Sequence, residues 1–208
     1  LRHFPNSVKT NVHNILSIDS EDPQVDLEVS QHFKFCRNYY IVQSDYEKYQ
    51  NSVNKLFGKF NFKVSYSDIF DYELDPNVMY DLIIFYTNFN LDDDITSFCS
   101  QAFNFLNEKG QILIITCSNE KFVLEARDYF KLNFYSDREF REKLTINCKF
   151  FNTHISTFVN INKLNKNEML KLTNQELSEE KIDEFKKYAL EKYGDYASVP
   201  ISVIILRK

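Results

Sequence analysis

Short, nearly continuous apolar runs alternate with amphipathic stretches along the first two thirds of the chain. Ile15–Ile18, Tyr39–Gln43, Phe62–Tyr66, Leu82–Tyr86 and Ile112–Cys117 are brief and rich in β-branched or aromatic residues. That pattern fits strands buried on both faces of a parallel sheet. Between them, Val25–Phe33, Tyr46–Phe57 and Asp93–Leu106 carry apolar positions at helical spacing. Tyr46, Tyr49, Val53 and Leu56 form one such stripe, and Ile95, Phe98, Cys99, Ala102, Phe103 and Leu106 another. Asn107-Glu108-Lys109-Gly110 reads as the stop of the third helix. Strand–helix repeats to about residue 130 predict right-handed βαβ crossovers and a doubly wound α/β sheet.

The last third changes character. Ser136–Leu144 predicts a short helix capped by Ser136 or Asp137, and Thr153–Val159 alternates as a strand does. Ser178-Glu179-Glu180 opens a long helix to Tyr193, with Ile182, Phe185, Ala189 and Leu190 inward and Gly194 closing it. Ile201–Leu206 is the final strand. The sum is a seven-stranded, mostly parallel sheet with an antiparallel C-terminal edge, read as a single domain over 1–208: a core to residue 130, then the strands and helices of 131–208.

Composition narrows the function classes. The 208 residues are 43% hydrophobic, which suits a globular domain. A net charge of −5 and a pI near 5.5, without any block of Lys and Arg, argue against duplex nucleic acid as a partner. No apolar run reaches the ~18 residues of a membrane span. The opening "LRHFPNSVKT" has neither a signal peptide nor an initial Met, so an excised domain or a trimmed chain is expected. Cys36, Cys99, Cys117 and Cys148 are scattered, as reduced thiols of a cytoplasmic protein would be. Only three glycines occur, against an average usage of ~7%. Aromatics are abundant at 16%, which a codon-biased genome would also produce.

Glycine scarcity matters most in "NILSIDSEDPQVDLEVS", residues 14–30. A strand runs there into a turn and then a helix, the place where nucleotide-binding folds carry a glycine-rich loop. "ILSIDSEDPQVDLEVS" followed by "YYIVQSDYEKYQNSVNKLF" resembles the first two strand–helix units of the histamine N-methyltransferase family. "YDLIIFYTNFNLDDDITSFCSQAFNFLNEKGQILIITCSN" is similar to its fourth strand, next helix and fifth strand. The likeness spans residues 12–130, with the C-terminal third similar only in layout. It implies a Rossmann-like class I methyltransferase sandwich built around S-adenosylmethionine.

The sequence departs from that family where its chemistry sits. The glycine run falls on Asp19 to Pro23, so side chains at Asp19, Glu21 and Pro23 would stand where the cofactor's methionine moiety lies. A carboxylate about 4 Å from the cofactor's own costs up to ~4 kcal/mol at an effective dielectric near 20, and the steric objection is the stronger one. The family's ribose-binding acid falls on Gln43, with Asp45 two residues on as a substitute. Asp68 matches the polar residue of the adenine side, and Thr87 and Asn88 one wall of the pocket. The family's amine-binding Asn falls on Val199, just before the last strand, and its amine-binding Glu has no counterpart in these residues.

Other constellations have plain readings. Asp19, Glu21, Asp22 and Asp26 lack the spacing of a calcium loop and read as a solvated turn. Asp92-Asp93-Asp94 reads as helix capping, and the scattered histidines show no zinc spacing, so no metal is expected. Phe130, Phe134, Tyr135 and Phe140 lie outside the repeating unit and suit either core or interface.

The coincident losses lead to the expectation of a catalytically inactive methyltransferase-like domain that binds no cofactor. It would serve as a scaffold, a regulatory subunit or a module of a longer chain, with a protein as its partner. The alternative is a divergent S-adenosylmethionine-dependent N-methyltransferase rebuilt around Gln43 or Asp45, Asp68 and Thr87. A third reading is a cleft remodelled for another small molecule, where an acidic mouth favours cations.

Overall fold

The computed structural model describes residues 11–59, 61–68, 71–87, 93–117, 121–131, 135–147, 151–161, 178–193 and 197–208. Seven strands form one sheet: β1 (Asn14–Ile18), β2 (Asn38–Gln43), β3 (Phe62–Tyr66), β4 (Tyr80–Tyr86), β5 (Leu106–Cys117), β6 (Phe151–Ile161) and β7 (Ala197–Arg207). Their order is β3-β2-β1-β4-β5-β7-β6. The first five are parallel, and β7 runs antiparallel to both β5 and β6. The helices are α1 (Pro23–His32), α2 (Tyr46–Leu56), α3 (Asp93–Ala102), α4 (Lys121–Phe130), α5 (Asp137–Asn147) and α6 (Glu179–Tyr193). None of the described helices is long and apolar enough to cross a membrane.

Alternation along the strands divides the core between the two faces of the sheet. Leu16, Ile18, Ile83, Phe85, Ile112, Ile114, Ile204 and Leu206 pack with Ile95, Phe98 and Cys99 of α3 and with Phe140 and Leu144 of α5. Ile15, Leu82, Ile84, Leu113, Val203 and Ile205 face the other way, against Val29 of α1 and Leu56 of α2. Apolar residues on both parities are why these strands read as unbroken runs.

Several boundaries differ from the sequence expectation. The third helix ends at Ala102, and Phe103–Phe105 forms a 3₁₀ turn. Leu106 then opens β5, so Asn107-Glu108-Lys109-Gly110 is the irregular start of a strand and not a helix stop. The register shifts between Tyr80 and Leu82 at that point. Gly110 is buried, and a Cβ there would stand 3.0 Å from the Asn107 carbonyl oxygen and from the Leu106 side chain.

The final strand begins at Ala197, earlier than expected, so Val199 lies within β7, opposite Val159, and not in a preceding loop. Helix α5 is capped by Ser136, whose hydroxyl accepts from the Glu139 amide at 3.1 Å while the Glu139 carboxylate accepts from the Ser136 amide at 2.7 Å. Phe140 is fully buried and Tyr135 packs against the same core, so neither forms a free face. Phe134, Gly194, Asn88 and Asp92 lie outside the described residues, as do the side chains of Ile182, Phe185, Ala189 and Leu190.

Candidate functional site

In an open α/β sheet the binding crevice lies at the carboxyl ends of the strands, beside the point where strand order reverses. Here that point is β1, flanked by β2 and β4. The loop from Asp19 to Asp22 leaves β1 and enters α1, which starts with Pro23 at its first turn. Pro23 suits that position because its fixed φ and missing N–H cost nothing there. The Asp22 carboxylate accepts from the Gln24 amide at 2.8 Å and caps the helix.

Asp19 has φ 53°, the left-handed conformation in which glycine is ordinarily favoured. Its amide donates to the Val42 carbonyl at 2.9 Å. One carboxylate oxygen, Oδ1, accepts from both the amide and the hydroxyl of Ser44, at 2.7 and 2.8 Å. The loop after β1 is thereby tied to the end of β2. Burial pushes the Asp19 carboxyl above the ordinary carboxylate value, against the opposing pull of the Ser44 bonds and of Lys48.

A second layer lies beneath this tie. Asp26 of α1 is fully buried and accepts from the hydroxyls of Ser17 at 2.6 Å, Ser20 at 2.5 Å and Tyr39 at 2.9 Å. Strand β1, its loop and strand β2 thus converge on one carboxylate. The expectation of a solvated acidic turn holds for exposed Glu21 and Asp22 and is corrected at Asp26, which lies in the first turn of α1, buried with Ser17 and Tyr39. Burial raises the Asp26 carboxyl above its usual value, and its hydrogen bonds pull the other way. It also raises Tyr39 and Tyr86, with the Asp26 charge adding to both.

Gln43 is fully buried and donates from Nε2 to the Ser20 carbonyl at 3.1 Å and to the Ser20 hydroxyl at 3.0 Å. Among the described residues, its Oε1 and the Tyr86 hydroxyl are buried without a hydrogen-bond partner. Asp45 caps α2, accepting from the Lys48 amide at 2.8 Å. Glu21 pairs with Lys48 at 3.2 Å, and Asp22 with Lys55 at 3.0 Å, so two exposed ion pairs bridge the β1 loop and α2. Pairs this exposed add little stability.

Of the residues singled out in the sequence, Asp19, Glu21, Pro23, Gln43 and Asp45 therefore gather around the ends of β1 and β2. Asp68 follows β3, is exposed, and is near enough to Asp19 to raise its carboxyl. Thr87 follows β4, half-buried, its amide donating to the Ile115 carbonyl at 2.9 Å. Val199 stands on β7, away from these strand ends in sheet order. Among the described residues no cluster of His, Cys, Asp or Glu could hold a metal ion.

Sequence reading missed Ser17, Ser20, Tyr39 and Ser44, and placed Asp26 on a solvated turn. The available signal was Ser17, a polar residue inside an apolar strand, on the same parity as Ile15 and so facing α1. A buried hydroxyl needs a partner, and an acid in the first turn of the next helix is within reach.

Against the pattern of the family it resembles, the loop after β1 offers S-adenosylmethionine no glycine. By that resemblance, the Cβ and carboxylate of left-handed Asp19 stand where the family has glycine. Asp19 Oδ1 is used on Ser44, Asp45 Oδ1 on its helix and Gln43 Nε2 on Ser20, while Gln43 Oε1 stays open.

The sequence matches no protein-family model, and it matches no curated protein. Solved structures do resemble the fold. The YcgJ protein of Bacillus subtilis aligns with a TM-score of 0.67 at 13% identity, over 95% of this chain and 92% of that one. The plantazolicin methyltransferase BpumL, in complex with SAH, aligns at 0.58 and 15% identity, over 95% and 76%. A geranyl diphosphate methyltransferase in complex with SAM aligns at 0.56 and 13%, over 97% and 81%. The chain has the Rossmann-like fold of class I methyltransferases.

Proposed function

We infer that this methyltransferase-like domain acts without S-adenosylmethionine, as a scaffold or regulatory module that works through contact with a protein. The observation that carries this reading is the Asp19–Ser44 tie, backed by Gln43 on Ser20. Polar groups that would greet a cofactor across the β1–β2 crevice are instead one another's partners. Opening the crevice would break several hydrogen bonds, two of them to a carboxylate, before a ligand made any of its own.

Isothermal titration of S-adenosylmethionine and S-adenosylhomocysteine into the 208-residue chain, with thermal shift alongside, tests this. The expected result is neither heat nor shift at millimolar ligand. Micromolar binding of either compound overturns it.

One observation favours a second reading, a divergent N-methyltransferase of the histamine N-methyltransferase type. Gln43 Oε1 is an unused acceptor at the end of β2, where the family resemblance puts the group that holds the ribose. In that case the same titration gives micromolar affinity, and Gln43→Ala lowers it. Catalysis would then come from holding a neutral amine in line with the methyl group, a matter of positioning.

A further inference from the structure

Beside the ends of β2 and β3 the molecule carries an aromatic surface. Tyr46 opens α2, Tyr49 lies one turn on, and Tyr66 ends β3 opposite Gln43. The rings touch one another: Tyr46 and Tyr66 are edge to face at 5.4 Å, Tyr49 and Tyr66 lie at 5.7 Å, and Tyr46 and Tyr49 at 6.1 Å. Tyr39 and Tyr80, by contrast, are fully buried, whereas Tyr46 and Tyr66 remain 57% and 55% exposed. An aromatic pair that packs together and still faces water offers ring faces to a ligand.

Charge around the rings indicates which ligand. Within residues 19–22, 43–50 and 66–68 the acids are Asp19, Glu21, Asp22, Asp45, Glu47 and Asp68, set against Lys48 and against Lys55, which pairs with Asp22. Lys48 is already bound to Glu21. The patch therefore joins the negative faces of aromatic rings to a surplus of carboxylates, and both attract cations. A neutral purine would gain from the rings and nothing from the acids. A guanidinium gains from both, because its plane stacks on a ring while its fork of N–H groups pairs with carboxylate oxygens.

We propose that the Tyr46–Tyr49–Tyr66 surface binds an arginine-bearing segment of a partner protein, the arginine stacking on Tyr46 or Tyr66 and pairing with Asp68 or Asp45. The proposal deepens the contact-module reading by stating the chemistry of the partner. It has its own readout, so its failure leaves the S-adenosylmethionine titration unaffected, and the reverse holds as well.

The test is a titration of the isotope-labelled 208-residue chain with the peptide acetyl-Gly-Arg-Gly-Arg-Gly-amide, followed by amide chemical shifts at low salt. The control peptide has citrulline in place of both arginines, keeping the shape and removing the charge. Shifts are expected at Tyr46, Tyr49, Tyr66 and Asp68, weakened about threefold or more by citrulline or by losing one ring. Salt raised well above the Debye regime of dilute buffer weakens them further. Tyr46→Ser removes an exposed ring, Asp68→Asn removes a charge, and Asp45→Asn removes another while keeping a capping residue. Each is confirmed folded by circular dichroism. Equal shifts with the citrulline peptide, shifts mapping to another surface, or unchanged affinity in Tyr46→Ser and Asp68→Asn would overturn the proposal.

Discussion

The Asp19 carboxylate accepts both the amide and the hydroxyl of Ser44 through a single oxygen, while the Asp19 backbone sits at φ 53°. A side chain has taken over a position whose backbone geometry favours glycine, and it has used the opportunity to bind the neighbouring strand end. Strain and bonding oppose each other at this residue, and substitution separates them. Asp19→Ala loses the Ser44 bonds and keeps the left-handed penalty. Asp19→Gly loses the same bonds and is relieved of roughly 1 kcal/mol of that penalty. Urea denaturation is expected to rank wild type above Asp19→Gly, and Asp19→Gly above Asp19→Ala by about 1 kcal/mol. Equal stability of the two variants would mean that the left-handed turn is not kept in solution.

Asp26 is the centre of the layer beneath, and its removal strands three hydroxyls. Asp26→Ala leaves Ser17, Ser20 and Tyr39 without their shared acceptor, at a cost of about 3 kcal/mol or more. Asp26→Asn keeps one acceptor oxygen and removes the buried charge, so it costs less. The pH dependence follows from the raised carboxyl. The folded state holds this proton more tightly than the unfolded chain, whose carboxyl titrates near ~3.9. The stability due to that proton is complete below ~3.9 and is lost as pH rises through the folded value. Wild type therefore loses ground to Asp26→Asn as pH is raised from 4 to 7 in urea titrations. A constant difference across that range would show Asp26 to be unperturbed.

Much of this architecture is legible in the sequence, and the omissions have physical causes. Ile15–Ile18 and Phe62–Tyr66 announce their strands because β-branched and aromatic residues cluster between polar breaks. The Asp93 helix is overextended because Phe103 and Leu106 keep its periodicity after Ala102, although the chain has tightened to 3₁₀ and then extended. Gly110 reads as a helix stop since local rules cannot see Leu106 and Asn107 closing on it from its own strand. The candidate site is legible as a place, from Asp19 to Pro23 and at Gln43, and not as a set of bonds. Ser44 and Ser20 become partners of Asp19 and Gln43 only through the pairing of β1 with β2. Asp26 was misread because an acid in a first helical turn is normally solvated, and only the sheet face above it makes it buried.

Gly110 provides a test of close packing at the start of β5. An added methyl would meet the Asn107 carbonyl oxygen and the Leu106 Cβ and Cδ2 at 3.0 Å. Leu106 is itself fully buried against Tyr80 and the α3 core, so it has little room to yield. Gly110→Ala is expected to destabilise by about 1–3 kcal/mol, the usual cost of overpacking. Thermal denaturation reads it directly. A neutral or stabilising result would mean that the 107–110 segment relaxes freely, and that its register with β4 is not held by Leu106.

The Ser136–Glu139 box makes a prediction of opposite pH sign. Each residue satisfies the other's amide at the start of α5, and Glu139 also meets Arg127 of α4 at 3.0 Å. Ser136→Ala removes one of the two cap bonds and is expected to cost about 1 kcal/mol at pH 7. The bond from the Ser136 amide, then that group's hydroxyl and the Arg127 charge, hold the Glu139 carboxyl below its ordinary value. Its contribution is therefore complete above the unfolded value of ~4.3 and disappears as pH falls through the lower folded value. Glu139→Gln keeps an acceptor and cannot titrate. Wild type should exceed Glu139→Gln in stability at pH 7 and converge on it toward pH 3, measured by urea denaturation at each pH. Since Phe140, next along the helix, anchors α5 in the core with no exposed surface, both variants should leave the near-ultraviolet aromatic signal intact. Loss of that signal together with stability would place the box in control of how α5 docks, beyond fraying at its first turn.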